Sequence, residues 1–322
     1  MPIFNGRALA THGILVVTLN YRLGVLGFLA HPELTNESPL KTSGNYGLLD
    51  IIAALQWLKK NLPAFGGDPA RITLGGQSAG ALATQLLESA PAAQGLFRQA
   101  IIQSGSMGRA VHWPSLSEAE ERGVHYLKLQ GYSSIDALRA VPAKRLYAGP
   151  TLDQHFPPIA DGVTIRSDAN ILSVAPFDDV STLTGLTADE THPYSPSMSA
   201  SARLEGSRAA RATLTKWALD RAAKTDTPLY LYLYDHIARG PGSTRWGAFH
   251  ASELPYVFET LAAARERPFT AQDREISRQL AAYWVNFVKT GNPNGTGLPR
   301  WRAFSVTEPA VMEIGDRFLE QR

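Results

Sequence analysis

Continuous apolar runs alternate with helically spaced apolar positions along the first third of the chain. Residues 14–20 are mostly apolar and β-branched, which is typical of a strand buried on both faces of a parallel sheet. Residues 47–62 carry leucine and isoleucine at helical spacing and end before a proline, which indicates a helix. Shorter apolar runs at 71–74 and 99–103 predict two strands with a second helix between them. The alternation predicts an α/β protein with a mostly parallel sheet and helices on both faces.

The second half of the chain continues the pattern with longer interruptions. Segment 117–146 predicts two short helices, the first opening with a capping box. Residues 180–186 and 229–234 predict two further strands, and in the second of these leucine alternates with tyrosine, as expected for a strand covered on both faces. A long final helix is predicted at 270–290. Residues 191–212 are rich in Ser, Pro, Ala and Arg without strong periodicity, and we expect a surface loop there.

Ser78 lies at the centre of the sequence Gly-Gln-Ser-Ala-Gly, between the strand predicted at 71–74 and the helix that follows. Gly76 and Gly80, two positions on either side, allow the chain to turn sharply and hold the serine hydroxyl clear of the backbone at a helix N-terminus. Such a pattern also occurs by chance in glycine-rich loops. The strand and helix on its two sides favour a nucleophile.

Further segments along the chain share their order and spacing with one known family. They are Asn-Tyr-Arg-Leu-Gly at 20–24, Gly-Asn-Tyr-Gly-Leu-Leu-Asp at 44–50, Phe-Gly-Gly-Asp-Pro at 65–69, Gln-Ser-Gly at 103–105, Asp-Glu at 189–190, Phe-His-Ala-Ser-Glu-Leu-Pro at 249–255, Trp-Val-Asn-Phe at 284–287 and Thr-Gly-Asn-Pro-Asn at 290–294. Together they resemble the type-B carboxylesterases (carboxylesterase/cholinesterase family). The resemblance implies the α/β-hydrolase fold in a single domain over 1–322, with insertions at about 107–175 and 191–225 that form part of the wall of the site.

The resemblance also implies a catalytic triad and an enzymatic activity. Ser78 would be the nucleophile, Glu190 the acid and His250 the base of a serine carboxylic ester hydrolase acting on small to medium esters. The order serine, acid, histidine is that of α/β-hydrolases. The acid and the base each follow a predicted strand, where sites form in open α/β sheets. The backbone N–H of Ala79 would donate a hydrogen bond to the oxyanion.

Neighbouring residues compete for two of these roles. Asp189 precedes Glu190, but successive side chains of an extended segment point in opposite directions, so only one of the two can face His250. The resemblance favours Glu190. His192 and His236 are alternative bases; we expect His236 to be a packing residue because it follows a predicted strand closely, and His192 lies in the predicted loop.

Two charged residues in apolar surroundings, Glu253 and Arg22, are predicted to be structural hydrogen-bond or ion-pair partners. No pair of histidines has the spacing of metal ligands, so we expect neither a metal nor a cofactor.

The chain departs from the family at its beginning. The family's remaining oxyanion donors come from a His-Gly-Gly loop that precedes the segment at 20–24, and here residues 1–10 already resemble the helix after that loop. We therefore expect an N-terminally truncated chain that lacks the first strands. The loss of one such donor lowers the rate roughly a hundred- to a thousandfold.

In the strand order of the family's sheet, one of the missing strands lies between the strands predicted at 14–20 and 71–74. Without it, we expect these two strands either to pair directly with each other or to remain unpaired in a marginally stable fragment. A weak or inactive enzyme, and less readily a binding or adhesion protein, are the alternative functions.

Composition narrows the classes of function. The chain has 322 residues, of which 31 are Lys or Arg and 29 are Asp or Glu, giving a net charge of +2 without basic clusters. This argues against nucleic acid as a partner. The partner that the resemblance implies is a small-molecule ester. The absence of cysteine excludes disulfides and thiolate metal sites. It favours a reducing compartment such as the cytoplasm, or a bacterial enzyme that does not rely on disulfides. No apolar run is long enough to predict a membrane span.

Overall fold

The computed structural model describes residues 2–105, 113–148, 156–166, 179–191, 198–240, 243–265 and 267–321. The candidate base His192 lies outside these residues, as do parts of the insertion predicted at 107–175.

Six strands form one sheet whose spatial order follows the chain. They are β1 (Thr73–Gln77), β2 (Gln99–Gln103), β3 (Ser181–Thr187), β4 (Leu229–Tyr234), β5 (Val311–Ile314) and β6 (Phe318–Gln321). The first five are parallel, and β6 runs antiparallel to β5. Because parallel strands share a direction, the segments that follow β1, β2, β3 and β4 all leave the sheet at the same edge.

Helices fill the connections between the strands. They are α1 (Arg7–Thr11), α2 (Gly24–Phe28), α3 (Pro32–Glu37), α4 (Tyr46–Asn61), α5 (Ala79–Glu88), α6 (Leu116–Leu129), α7 (Ile135–Arg139), α8 (Ala143–Ala148), α9 (Ala200–Ala222), α10 (Ser243–Trp246), α11 (Leu254–Val257) and α12 (Ala271–Thr290), with short 3-10 helices at Pro2–Phe4, Leu62–Phe65, Pro91–Ala93 and Leu261–Ala263. The α/β class predicted from the sequence is confirmed, and so are the helices expected at 47–62 and 270–290.

Strand β4 has helices on both faces, as its alternating leucines and tyrosines predict. Its leucine face packs against Leu214 and Trp217 of α9. Its tyrosine face packs against α12, where the ring of Tyr230 lies 6.1 Å from that of Phe287 and the ring of Tyr232 lies 5.3 Å from that of Trp284. The strand is therefore fixed from both sides, and the loop after it leaves the sheet at a defined position.

The strand predicted at 14–20 is wrong. These residues belong to no strand in the described part of the chain, and Leu15 and Val17 are 50% and 53% exposed. Strand β1 pairs only with β2 there and is an end strand of the sheet, so direct pairing of 14–20 with the first strand is not observed. An apolar run becomes a strand only if a neighbouring strand satisfies its backbone N–H and C=O groups. Without such a neighbour, residues 14–20 remain irregular.

The surface loop predicted at 191–212 is wrong from residue 200 onward, because α9 begins at Ala200 with Ser199 as its N-cap; residues 192–197 of this prediction lie outside the described residues. The buried face of α9 carries a serine and an alanine in its first half and leucine and tryptophan only in its second; its buried residues are Ser207, Ala210, Leu214, Trp217, Ala218 and Arg221. These positions have helical spacing. Small residues in the first half hide that spacing from a search for apolar side chains.

Segment 117–146 contains parts of three helices and not two. The capping box of α6 is formed by Ser115 and Glu118, so the helix begins before the position predicted from Ser117. The two helices that follow, α7 and α8, have five and six residues. Elements of little more than one turn carry too few apolar positions to be recognised by period.

Candidate active site

Ser78 occupies a strained turn between a strand and a helix. Strand β1 ends at Gln77 and α5 begins at Ala79, so Ser78 alone makes the turn, with φ 57° and ψ −119°. A positive φ is uncommon for residues other than glycine and is found at functional sites. A Cβ on Gly76 would lie 2.2 Å from the carbonyl carbon of Gly80, whereas a Cβ on Gly80 would meet nothing within 4 Å. The turn therefore requires glycine only at position 76.

Two hydrogen bonds fix the backbone of Ser78, and its hydroxyl group does not cap the helix that follows. Its N–H donates to the carbonyl of Gln103 on β2, and its carbonyl accepts from Leu82 of α5, both at 2.9 Å. Ser78 is the N-cap residue of α5, yet its side chain accepts no hydrogen bond from the helix. The first N–H group of α5 belongs to Ala79. Like the other N–H groups of the first turn, it has no acceptor within the helix, and it lies at the positive end of the helix dipole.

Glu190 and His250 form a buried hydrogen-bonded pair beyond the ends of β3 and β4. Oε1 of Glu190 accepts from Nδ1 of His250. Oε2 of Glu190 accepts three further hydrogen bonds, from Ser104 Oγ at 3.0 Å and from the backbone N–H and the hydroxyl of Thr187 at 2.9 Å each. Since an ionised carboxylate only accepts, the proton of the neutral imidazole lies on Nδ1. Nε2 therefore carries a lone electron pair and is the hydrogen-bond acceptor of the ring.

That electron pair faces the turn that carries Ser78. The side-chain amide nitrogen of Gln77, the residue before Ser78, lies 2.9 Å from Nε2 of His250. The amide donates, because Nε2 has no proton in this tautomer. The structure thus brings the predicted acid and base together and sets the imidazole beside Gln77, the residue before the predicted nucleophile.

Asp189 points away from the imidazole, as the alternation of side chains predicts. Its Oδ2 accepts from the backbone N–H of Ala248 at 2.8 Å, and its own N–H donates to the carbonyl of Ala248 at 3.0 Å. A Cβ on Gly247 would lie 1.9 Å from that same Oδ2. Asp189 therefore ties the segment before His250 to the segment before Glu190, and it does not compete with Glu190.

His236 is engaged elsewhere. Its Nε2 bonds to Asp273 at 2.9 Å and its Nδ1 to Asp316 at 2.8 Å. Its ring packs against Tyr256 with centroids 5.4 Å apart. Both nitrogens have carboxylate partners, so the packing role predicted from its position directly after β4 is confirmed.

A second buried carboxyl group lies close to the pair. Glu253 is fully buried, and its Oε1 accepts from the side-chain amide of Gln103 at 2.9 Å. Gln103 in turn accepts from the indole N–H of Trp284 at 3.2 Å. Burial, reinforced by the charge of Glu190 and opposed by hydrogen bonding and by His250, raises the pKa of Glu253 to about 7. The prediction that Glu253 is a structural hydrogen-bond partner is confirmed.

Sequence comparison places the chain in a known family. Residues 2–218 and 209–321 match the sequence profile of the Carboxylesterase family. The chain belongs to the carboxylesterase family. It is 33% identical to a fumonisin B1 esterase of Sphingopyxis macrogoltabida and 31% identical to a para-nitrobenzyl esterase of Bacillus subtilis (strain 168), in both cases over 94% of this chain. It spans 64% and 70% of the lengths of these two relatives.

The fold agrees with this membership. A solved PNB esterase structure superposes with a TM-score of 0.84 at 27% sequence identity, covering 99% of this chain and 74% of that one. The mostly parallel sheet flanked by helices is therefore the α/β-hydrolase fold expected of a carboxylesterase.

Two partners of Glu190 were missed by reasoning from the sequence. Ser104 directly follows β2, is buried, and has a φ of 55°, and Thr187 is the last residue of β3. Ser104 belongs to the Gln-Ser-Gly segment of the resemblance, so a signal was present. Its position after a strand adjacent to β3 could have suggested contact with the acid.

The described residues contain no group of three or more His, Asp or Glu side chains arranged to hold a metal ion. Among the described helices none combines the length and the apolar character needed to cross a bilayer.

Proposed function

We propose that this carboxylesterase-family chain is a serine carboxylic ester hydrolase with Ser78 as nucleophile, His250 as base and Glu190 as acid. The observation that carries the proposal is the pairing of His250 with Glu190 on Nδ1, while Nε2 faces the turn at Gln77 and Ser78. This is the arrangement that activates a hydroxyl in acyl transfer.

The reaction has two halves. Ser78 Oγ attacks the ester carbonyl carbon as Nε2 of His250 takes its proton, and Glu190 stabilises the resulting imidazolium. The tetrahedral intermediate collapses, the carbon–alkoxide bond breaks, and the alcohol leaves with the proton from Nε2. Water, deprotonated by His250, then attacks the acyl-serine. The acid leaves and Ser78 regains its proton.

Charge on the tetrahedral oxyanion requires donors beside Ser78. The N–H of Ala79 supplies one, aided by the positive end of α5. One donor accounts for only part of the stabilisation in such enzymes, since each is worth roughly a hundred- to a thousandfold in rate.

The names of the relatives, a fumonisin B1 esterase and a para-nitrobenzyl esterase, support carboxylic esters as the substrate class. Small to medium esters are the substrates that we propose within this class. We place the site in a single α/β-hydrolase domain over 1–322, with walls contributed by about 107–175 and 191–225.

The test is covalent labelling with a fluorophosphonate, combined with hydrolysis of short p-nitrophenyl esters. We expect the label on the peptide that contains Ser78, and loss of both labelling and hydrolysis in Ser78→Ala. Ser89→Ala is the matched control, because Ser89 follows the same helix and its hydroxyl only donates to the carbonyl of Leu86. Hydrolysis that survives Ser78→Ala undiminished would overturn the proposal.

A further inference from the structure

Glu253 is a buried acid for which the described part of the chain offers no basic partner. It lies three residues after His250, at the start of α11, and is fully buried. Its Oε1 accepts from Gln103, and its Oε2 has no hydrogen bond among the described residues. No Lys or Arg of the described chain forms an ion pair with it. Since burying a carboxylate without a cation is costly, the uncharged acid is the favoured resting form.

The groups around Glu253 explain when it would become charged. Strand β2 contributes the amide of Gln103, and α12 contributes Trp284, which binds that amide; neither carries a charge. The titratable neighbours are Glu190, His250 and the buried Tyr232 and Tyr234. Burial raises the pKa of both tyrosines, and the charge of Glu253 raises it further. Among these groups only His250 can become positive. Its imidazolium is the form created during acylation.

We propose that Glu253 is a positioning residue for the esterase reaction: buried three residues after His250 and bonded through one oxygen to Gln103, it stabilises the imidazolium of His250 in its carboxylate form. This rests on the proposed function, because it assigns a role to the base of that reaction. In this proposal Glu253 acts through His250 and not on the substrate.

The first test compares wild type with Glu253→Gln, which keeps the shape and remains uncharged at every pH. The rate of fluorophosphonate labelling is measured from pH 5 to 9. We expect near-equal rates at pH 5.5, where both side chains are neutral, and about a tenfold deficit of the variant at pH 8.5, since one opposite charge nearby is worth at least one unit of pKa. A ratio that is constant across the range would assign Glu253 a purely structural role and overturn the proposal.

The second test needs no activity. The pKa of Glu253 is raised to about 7 in the folded protein, so its stabilising effect is complete below its unfolded value and is lost as the pH rises through 7. We expect the melting temperature of wild type to fall relative to Glu253→Gln between pH 5 and pH 8. The exposed Glu205→Gln is the control and should show no such trend. A pH-independent difference for Glu253→Gln would show that the group does not titrate there.

Failure of the proposed function and failure of the role proposed for Glu253 give different results. Failure of the proposed function appears as activity that survives Ser78→Ala, and it leaves the melting experiment intact. If Glu253→Gln does not fold, Gln103→Met replaces it. That change removes the donor that opposes the raised pKa of Glu253, so the rise in labelling rate should move to higher pH; an unmoved curve would contradict the proposal.

Discussion

Nε2 of His250 accepts a hydrogen bond from the side-chain amide of Gln77, 2.9 Å away. A proton that arrives on Nε2 would face the N–H groups of this amide. Gln77 must therefore rotate to present its oxygen, or move aside, when the proton of Ser78 arrives. The residue before the nucleophile thus influences how readily the base takes up its proton.

Gln77→Glu should move the acid limb of the pH–rate profile to higher pH by about one unit, because a carboxylate beside Nε2 favours the imidazolium. The measurement is kcat/KM for a p-nitrophenyl ester between pH 5 and 9. Gln77→Met keeps the length of the side chain but donates no hydrogen bond, and it should move the limb less. If Gln77→Glu and wild type give superimposable profiles, the hydrogen bond has no part in the protonation of His250.

Glu190→Gln should lower kcat by about 10⁴-fold, as the equivalent change does in a serine protease triad. The three donors around Oε2, from Ser104 and Thr187, would bind the amide oxygen of the new side chain and turn its NH₂ group toward Nδ1 of His250. The imidazole would then carry its proton on Nε2, where it blocks the transfer from Ser78.

The control for this change is Asp189→Asn, because Asp189 binds the backbone N–H of Ala248 and not the imidazole. We expect less than a tenfold loss of kcat for that variant. Equal losses at both positions would contradict the assignment of the acid to Glu190.

Arg221→Met should destabilise the protein by about 3–5 kcal/mol, because it leaves Glu88 buried without a cation. Both side chains are buried, with 3.7 Å between them, and Arg221 also donates to the carbonyl of Val180 at 2.6 Å. Urea denaturation measures the loss. Arg278→Met on the exposed face of α12 is the matched control and should cost under about 1 kcal/mol. Adding Glu88→Gln to Arg221→Met should restore part of the stability; no recovery would mean that Arg221 acts through packing alone.

Val17→Asp should change the free energy of unfolding by no more than about 0.5 kcal/mol, because Val17 is 53% exposed. Urea denaturation compares it with Ile102→Asp in the buried centre of β2, which should unfold the protein. Severe loss of stability in Val17→Asp would show that residues 14–20 are covered in solution.

Residues 14–20 and α9 show where reasoning from the sequence fails for the fold. Apolar content predicts that a segment could be buried, but a strand also needs a neighbour, and no local signal reports one. The face of α9 that contacts the sheet begins with small residues, so its period was invisible. Strands β5 and β6 were not predicted at all: four residues each, with glutamate among them, give too short a pattern. By contrast, α4 and α12 are long and strongly periodic, and both were predicted from the sequence.

Only part of the candidate site could likewise be predicted from the sequence. The turn at Ser78 is encoded by contiguous residues, with Gly76 as the position that admits no side chain, and so it can be read locally. Glu190 and His250 lie 60 residues apart, and the resemblance was needed to pair them. The contact of Gln77 with the imidazole depends on how the ends of different strands meet, which no spacing along the chain specifies.

Asp273→Asn should destabilise the protein by about 3 kcal/mol at pH 7, because three side chains depend on that carboxylate. Its Oδ2 accepts from the N–H and the hydroxyl of Thr270, completing the capping box of α12, and its Oδ1 accepts from Tyr256 and His236. Burial raises the pKa of Asp273, but these hydrogen bonds outweigh it and hold the pKa well below its ordinary value.

A lowered pKa means that the stabilisation is complete above the unfolded value, about 3.9, and is lost as the pH falls below it. The difference between wild type and Asp273→Asn in urea denaturation should therefore narrow between pH 7 and pH 3. Asp136→Asn in the first turn of α7, where the carboxylate is exposed, is the control and should change stability by about 0.5 kcal/mol or less. A difference for Asp273→Asn that stays the same at both pH values would mean that the cluster is held by shape and not by the charge of the carboxylate.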